Sequence, residues 1–592
     1  MLKTLQALRE RMQEYSIDAV LVPSSDFHGS EYAGAHFACR AYFSGFTGSA
    51  GTLLVLSNWA GLWTDGRYFL QAEQQLRDSG IMLMREGLPE TPSLEKVLSS
   101  RLWEGASLAV DGRLISVRTG RKLQKELASK NITLRTDLDL PGLTWPNRPP
   151  LSAEPVWLLE TRYAGESRAE KLERVRLAMK QQGIDYLFVS NLEEIAWLLN
   201  FRGGDIPCTP VALSYFVLSE EHAVLFINPA ILSSEVRRAL KLDKLRIKPY
   251  DSFFEYASTL PENTSVSLDG RSVNFHLMAS LPKTLRILDR PSPIEAFKAV
   301  KNATEIDHMK LAHRKDGVAL TKFLFWLKQH VGKEPISELS AAEKLESLRI
   351  EQEDYLGPSF SPIVAYGEHG AIVHYSATTE SNASLQAEGF LLLDTGGHYL
   401  QGTTDCTRTI ALGPISDAMR KHYTAVLRGH LNLANAQFLH GCTGANIDYL
   451  ARAPLWDMQL NYQHGTGHGV GYLLSVHEGP NQIRWRASPG AAVFEAGMIT
   501  SNEPGLYLEG EYGIRLENLL LCVPRGESRY GRFLGFEPLT LLPFDRDAIE
   551  PAQLSPHERT RLNQYHASVC KQLLPYLNKE EADWLHTITL PL

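Results

Sequence analysis

The sequence predicts a mixed α/β and α+β protein: two similar α/β domains, a larger α+β domain rich in hairpins, and a helical C-terminal extension. Three observations predict it. At 592 residues the chain exceeds what one hydrophobic core organises, so several domains are expected. Two Pro-rich stretches, Pro141 to Pro150 and Arg290-Pro291-Ser292-Pro293, read as linkers. The segments before and between them repeat one pattern of helix, strand, glycine-containing turn and strand, the mark of a duplicated unit. The resulting domains are 1–145, 151–292 and 298–545, with the extension at 546–592.

The elements follow in order. Leu5 to Tyr15 has helical periodicity and Ile17 to Val22 reads as a strand; in the second segment Leu172 to Gln182 leads into Ile184 to Val189. Phe43-Ser44-Gly45-Phe46-Thr47-Gly48 is matched by Leu199-Asn200-Phe201-Arg202-Gly203-Gly204. Both lead into apolar strands, Thr52 to Leu56 and Ala223 to Ile227. Trp63-Thr64-Asp65-Gly66-Arg67-Tyr68 reads as a turn closed by an internal Asp–Arg pair. The third segment opens with a helix over 304–331, with Thr304 as N-cap and acids in the first turn. Strands and hairpins are expected to dominate from Phe390 to Leu520. Helices are expected to start at Ser555 and Lys579.

Chemistry concentrates in the third segment. Asp394 follows an apolar run and Asp405 lies in Thr403-Thr404-Asp405-Cys406-Thr407-Arg408; a hairpin centred on Tyr399 and Leu400 sets the two carboxylates opposite each other. Directly opposed residues are about 5 Å apart at Cβ, close enough to share a cation. Glu503 and Glu517 repeat the arrangement around the turn Glu509-Gly510-Glu511, and His468 supplies one nitrogen ligand from Gly465-Thr466-Gly467-His468-Gly469. Four converging carboxylates are prohibitive in a core by themselves, whereas two divalent cations cancel their charge. Oxygen-rich donors with one imidazole and no thiolate suit Mn²⁺, Co²⁺ or Zn²⁺. The Gly-rich loop lacks the Gly-Lys-Ser/Thr ending of a phosphate cradle, so its small residues are expected to let backbone approach the metals. Arg515, two residues from Glu517, shares its face in a strand and is expected to orient a carboxylate ligand. Cys406 points the other way and reads as a core thiol.

These motifs resemble the pita-bread metallopeptidases. The resemblance rests on Leu393-Asp394-Thr395-Gly396, Thr404-Asp405-Cys406-Thr407-Arg408-Thr409, His464-Gly465-Thr466-Gly467-His468-Gly469-Val470-Gly471, Asn502-Glu503-Pro504-Gly505 and Ile514-Arg515-Leu516-Glu517-Asn518. The chain looks most like the long, three-domain Xaa-Pro aminopeptidases, which carry two creatinase-like domains before the catalytic one. That resemblance implies a dinuclear aminopeptidase acting on peptides with an N-terminal Xaa-Pro. It implies two ions, most readily Mn²⁺, with Asp405 and Glu517 bridging, Asp394 completing one position, and His468 with Glu503 the other. It also implies Glu503 as the catalytic proton acceptor, His374 and His477 as donors to the scissile carbonyl, and His464 as part of the pocket for the residue after the cleaved bond. Prolidase-like dipeptidase and catalytically silent binding module are the alternatives; the silent relatives have lost ligands, and all five are present here.

The net charge of −8 argues against a nucleic-acid or anionic-membrane partner. The N-terminal segment lacks the apolar run of a signal peptide, and no run is long enough to span a bilayer. Six cysteines stand singly, without a Cys-x-x-Cys pair, and read as reduced thiols of a cytoplasmic protein. The extension carries apolar faces, including Leu562, Val569, Leu573, Leu574 and Leu577, and the resemblance implies a homodimer formed through this region.

Overall fold

The computed structural model describes residues 3–487 and 490–592; Met1 and Leu2, at the head of the segment read for a signal peptide, lie outside the described residues. The chain divides into two compact units, Met1–Thr161 with Glu166–Glu295, and Arg162–Gly165 with Ala296–Leu592.

The first unit contains the duplication. Ala19–Pro23 pairs antiparallel with Thr52–Leu56 and parallel with Ser107–Ala109; Tyr186–Val189 pairs antiparallel with Ser214–Ser219 and parallel with Ser265–Leu268. Each set extends to a six-stranded sheet of the same order and directions. The strand equivalent to Thr52–Leu56 is therefore Ser214–Ser219, while Ala223–Ile227 corresponds to Ala60–Thr64, one strand later than the sequence suggested. Ser214–Ser219 is buried throughout, so the polar alternation that marks a half-buried strand is missing. The matched turns do correspond: helices Cys39–Ser44 and Leu192–Leu199 end on Gly45 (φ +75°) and Asn200 (φ +47°), both left-handed.

Three Asp-Gly-Arg turns share one device. Arg67 Nε and Nη2 donate to the Asp65 carboxylate, each at 2.8 Å, as the sequence predicts. Asp111-Gly112-Arg113 and Asp269-Gly270-Arg271, after equivalent parallel strands, close the same way, with backbone donors at 2.9 and 2.8 Å. The first Pro-rich stretch is less of a linker than its composition suggests. It begins with the short helix Leu140–Thr144, capped by Asp139 at 2.8 Å, and Trp145 stacks on Tyr42 at 4.5 Å. Proline in the first helical turn costs nothing there, because the missing N–H would be unpaired anyway.

The second unit opens with helix Ala303–His330. Its N-cap is Asn302 rather than Thr304: Asn302 accepts from Glu305 N at 2.9 Å and Glu305 returns the bond at 3.0 Å, a reciprocal capping box. This helix and Glu338–Ile350 pack on the sheet of Ile363–Tyr366, Phe390–Thr395 and Cys406–Ala411. Leu391, Leu393, Cys406 and Ile410 face those helices. Alternation therefore turns Asp394, Thr407 and Thr409 to the opposite face. Burial pushes the Cys406 thiol up to about 12, as expected of a core thiol.

Strands dominate the span from Phe390 to Leu520 as expected, though not alone. Helices Asp417–Ala434 and Gly444–Trp456 stand within it and pack on each other. A six-stranded sheet then carries Gly467–Gly469, Ile499–Asn502 and Asn518–Ser528, and the hairpin Gly505–Leu508 with Tyr512–Arg515 continues from it. In the extension, helices Pro556–Leu573 and Lys579–Ile588 start on Ser555 and Asn578 caps. Of the face expected to carry dimerisation, Leu562, Val569 and Leu573 are fully buried in the chain's own cores, while Leu574 and Leu577 are half-buried. No helix among the described residues is long and apolar enough to cross a membrane.

Candidate metal centre and active site

The second hairpin places its glutamates as the sequence predicts. Asn502 pairs with Asn518 and Gly505 with Arg515, one continuous register that sets Glu503 directly across from Glu517. At this point the two arms part and bond outward. Glu503 N donates to Thr466 O at 2.9 Å and Glu517 N to Thr407 O at 3.0 Å, which joins three segments around the two side chains.

The first hairpin differs by two residues. Asp394 pairs with Thr407, not Asp405, so the two aspartates are diagonal neighbours on one face. The connecting loop pairs His398 with Thr403 and Tyr399 with Gly402, which centres the turn on Leu400 and Gln401, one residue later than expected. A two-residue offset preserves the face, so the carboxylates still converge. Ligand atoms of Asp405, His468 and Glu517 lie within 4.8 Å of one another, and His468 Nε2 is 3.4 Å from Glu503 Oε1 and 3.6 Å from Asp405 Oδ2. His468 Nδ1–H donates to Gly469 O at 3.0 Å, which directs Nε2 at the acids.

Arg515 organises Asp394. Its Nη2 donates to Asp394 Oδ2 at 2.6 Å and its Nη1 to the Tyr507 hydroxyl at 2.8 Å. Thr407, which sequence reasoning missed, donates to Glu517 Oε2 at 2.9 Å. Its signal was available: it stands two residues from Asp405, on the same face of the chain. Ser501, also missed, accepts from His468 N at 2.9 Å and donates to Glu503 Oε1 at 3.2 Å.

The surrounding histidines differ in how closely they approach. The His477 ring stands edge-on to His468 at 4.4 Å. His464 Nε2 is 2.9 Å from the Tyr507 hydroxyl, and Nδ1 is 3.9 Å from Glu503 Oε2. His374 is half-buried in the turn after Gly367–Ala371. Gly370 there meets Gly513 of the second hairpin backbone to backbone, and Tyr375 beside His374 donates to buried Glu338 at 2.9 Å. The Gly-rich loop serves neighbouring strands rather than the acids: a Cβ on Gly467 would stand 2.0 Å from Ser501 O, and one on Gly469 2.2 Å from Glu478 O.

Electrostatics identify what the cluster suits. Burial, then the charge of Asp394, holds Asp405 well above the usual carboxylate range; burial, then Asp405, does the same to Glu517. Burial, opposed by Arg515 and reinforced by Asp394, pushes Glu503 up to about 7. Asp394 Oδ1 is buried with no hydrogen-bond partner among the described residues. Buried anions raised by one another, an aimed imidazole nitrogen and a partnerless carboxylate oxygen fit divalent cations.

Comparison with known proteins agrees with this geometry. The profile of metallopeptidase family M24 matches residues 307–524, and that of the C-terminal region of this peptidase family matches 532–592. Two profiles of the creatinase/prolidase N-terminal domain match 4–138 and 147–305. Aminopeptidase P1 of Arabidopsis thaliana is 37% identical, over 100% of this chain and 99% of its own. The chain belongs to the Xaa-Pro aminopeptidases of metallopeptidase family M24. Xaa-Pro aminopeptidase 1 of Dictyostelium discoideum is also 37% identical, over 100% of this chain and 96% of its own. Among solved structures, the X-prolyl aminopeptidase of Caenorhabditis elegans, described as a cytosolic enzyme with a di-nuclear active site, covers all of both chains at 32% identity and a TM-score of 0.95. Membership makes the chain a metallo-exopeptidase of two creatinase-type α/β domains, a pita-bread domain and a helical extension.

Proposed function

We propose that Asp394, Asp405, His468, Glu503 and Glu517 hold two Mn²⁺ ions, with Zn²⁺ and Co²⁺ as alternatives, and that this centre removes the N-terminal residue of a peptide whose second residue is proline. Glu503 set across from Glu517, with Asp405 and His468 in ligand reach, is the observation that carries the reading. The dinuclear site of the Caenorhabditis elegans relative supports two ions. Asp405 and Glu517 would serve both ions, Asp394 one of them, and His468 with Glu503 the other. Such ions would supply an acidified water as nucleophile, its pKa brought from about 15.7 toward about 7.

The chain's own residues then handle protons and position. Glu503 accepts the proton of the attacking water and passes it to the departing proline nitrogen. His374 and His477 donate hydrogen bonds to the scissile carbonyl as negative charge builds on its oxygen. Arg515 fixes Asp394. His464, bonded to Tyr507 beside Glu503, shapes the pocket for the proline ring. Chelation is expected to abolish peptide hydrolysis and Mn²⁺ to restore it; full turnover by metal-free protein would overturn the reading. Faster cleavage of an Xaa-Pro dipeptide than of a longer peptide would favour the prolidase-like alternative.

The reading includes the domain division 1–145, 151–292, 298–545 and 546–592, a cytoplasmic location and a homodimer. The cytosolic Caenorhabditis elegans relative and the lack of any disulfide among the six cysteines support the location. With Leu562, Val569 and Leu573 covered, the dimer is assigned instead to the exposed aromatic patch of Tyr449, Trp456 and Trp485, whose successive rings stand 5.8 and 6.3 Å apart. Trp456→Ser combined with Trp485→Ser is expected to give monomers in light scattering at micromolar concentration. A dimer unchanged by both substitutions would rule this face out.

A further inference from the structure

The loop that joins the two aspartates is gripped by a buried ion pair. Asp316, on helix Ala303–His330, and Arg349, on helix Glu338–Ile350, are only 2% exposed. Arg349 Nε donates to Asp316 Oδ1 at 2.8 Å and Nη2 to Oδ2 at 3.3 Å. The rest of the pair's capacity goes to the loop. Asp316 accepts from the Tyr399 hydroxyl at 3.0 Å and from Thr404 Oγ1 at 2.9 Å. Arg349 Nη1 donates to Thr395 Oγ1 and, at 3.1 Å, to Gly396 O. Thr404 Oγ1 also accepts from Gly397 N at 2.9 Å, so one hydroxyl ties the two ends of the loop to each other and to Asp316. Thr395 directly follows Asp394, and Thr404 directly precedes Asp405.

We propose that Asp316 and Arg349, acting through Thr395 and Thr404, are positioning residues that set the spacing of the Asp394 and Asp405 carboxylates and so the cation affinity of the place they share. The inference rests on the reading of those aspartates as metal ligands. Stability is a poor reason for the pair, since buried ion pairs are often matched by apolar residues of the same volume. What apolar residues cannot supply is direction. Asp394 and Asp405 are diagonal neighbours whose charges repel, and the loop between them has only a short ladder of its own. Hydrogen bonds from behind hold both ends against that repulsion. Neighbouring residues of extended chain point to opposite faces, so the threonine grip lies behind the carboxylates rather than among them.

The test uses the full chain, stripped of metal and titrated calorimetrically with Mn²⁺ alone. Thr404→Val keeps the shape and removes the hydroxyl; Thr404→Ser keeps the hydroxyl. Thr424→Val is the control, because Thr424 Oγ1 also donates once and accepts once, at 2.8 Å each, but to Arg420 O and from Glu550 N. Thr404→Val is expected to weaken Mn²⁺ binding about 10- to 100-fold, the usual effect of losing a group that orients a ligand. Thr404→Ser and Thr424→Val should bind as the wild type does. Excess Mn²⁺ should restore the kcat of Thr404→Val with KM for an Xaa-Pro-Xaa peptide unchanged, which general loosening would not produce. Wild-type affinity in Thr404→Val, or equal weakening in Thr424→Val, would overturn the inference while leaving the metal reading intact. A wild-type chain that takes up no cation would overturn the metal reading and this inference with it.

Discussion

Asp405→Asn is expected to lower kcat by roughly a thousandfold or more at saturating Mn²⁺, about 4 kcal/mol of transition-state stabilisation. The side chain is buried, its ligand atom lies within 4.8 Å of those of His468 and Glu517, and it is proposed to bridge both ions. Asparagine keeps the shape but removes the anion that both positions share. Stability without metal should move differently. Burial and the charge of Asp394 already push Asp405 toward its neutral form, which asparagine imitates, so the metal-free variant should melt no lower than the metal-free wild type. The pair of measurements is kcat with Mn²⁺ and Tm with chelator. Activity within tenfold of wild type would remove Asp405 from the centre; a large fall in metal-free Tm would make its role structural.

The two hairpins show how far the sequence could be read. Glu509-Gly510-Glu511 is a tight turn with Gly510 at φ +72°, and a tight turn fixes register, so the pairing of Glu503 with Glu517 was legible. Between Asp394 and Asp405 the loop makes a small ladder of its own, and its turn could not be placed to the residue. The consequence was mild, because a slip of two keeps every side chain on its face. Helix Asp417–Ala434 escaped notice for another reason. Its polar residues Asp417, Lys421, Arg428 and Asn432 share one face, but the run Tyr423 to Leu427, all buried, places Thr424 on that face and masks the period. The Asp316–Arg349 pair was invisible in principle: each residue is an ordinary charge on a helical pattern, and only the packing of two helices on one loop joins them. Thr407 and Ser501 needed only face counting from known ligands, and the leucines of the extension needed a partner surface that no local pattern reveals.

Specificity follows from what a proline bond lacks. The bond is a tertiary amide with no N–H and a fixed ring beside it, so a site that demands the donor rejects it, whereas a pocket shaped to the ring can require it. His464 and Tyr507, bonded to each other beside Glu503, offer such a surface, and the acidic cluster next to them suits a free α-amine. The measurement that tests this most directly follows product release by the Mn²⁺-loaded protein from Xaa-Pro-Xaa, Xaa-Ala-Xaa, N-acetylated Xaa-Pro-Xaa and Xaa-Pro peptides. The expected result is release of the first residue alone from Xaa-Pro-Xaa, with kcat/KM about 100-fold or more above that for Xaa-Ala-Xaa, and resistance of the acetylated peptide. Comparable rates on Xaa-Pro-Xaa and Xaa-Ala-Xaa, or ready cleavage of the acetylated peptide, would contradict it.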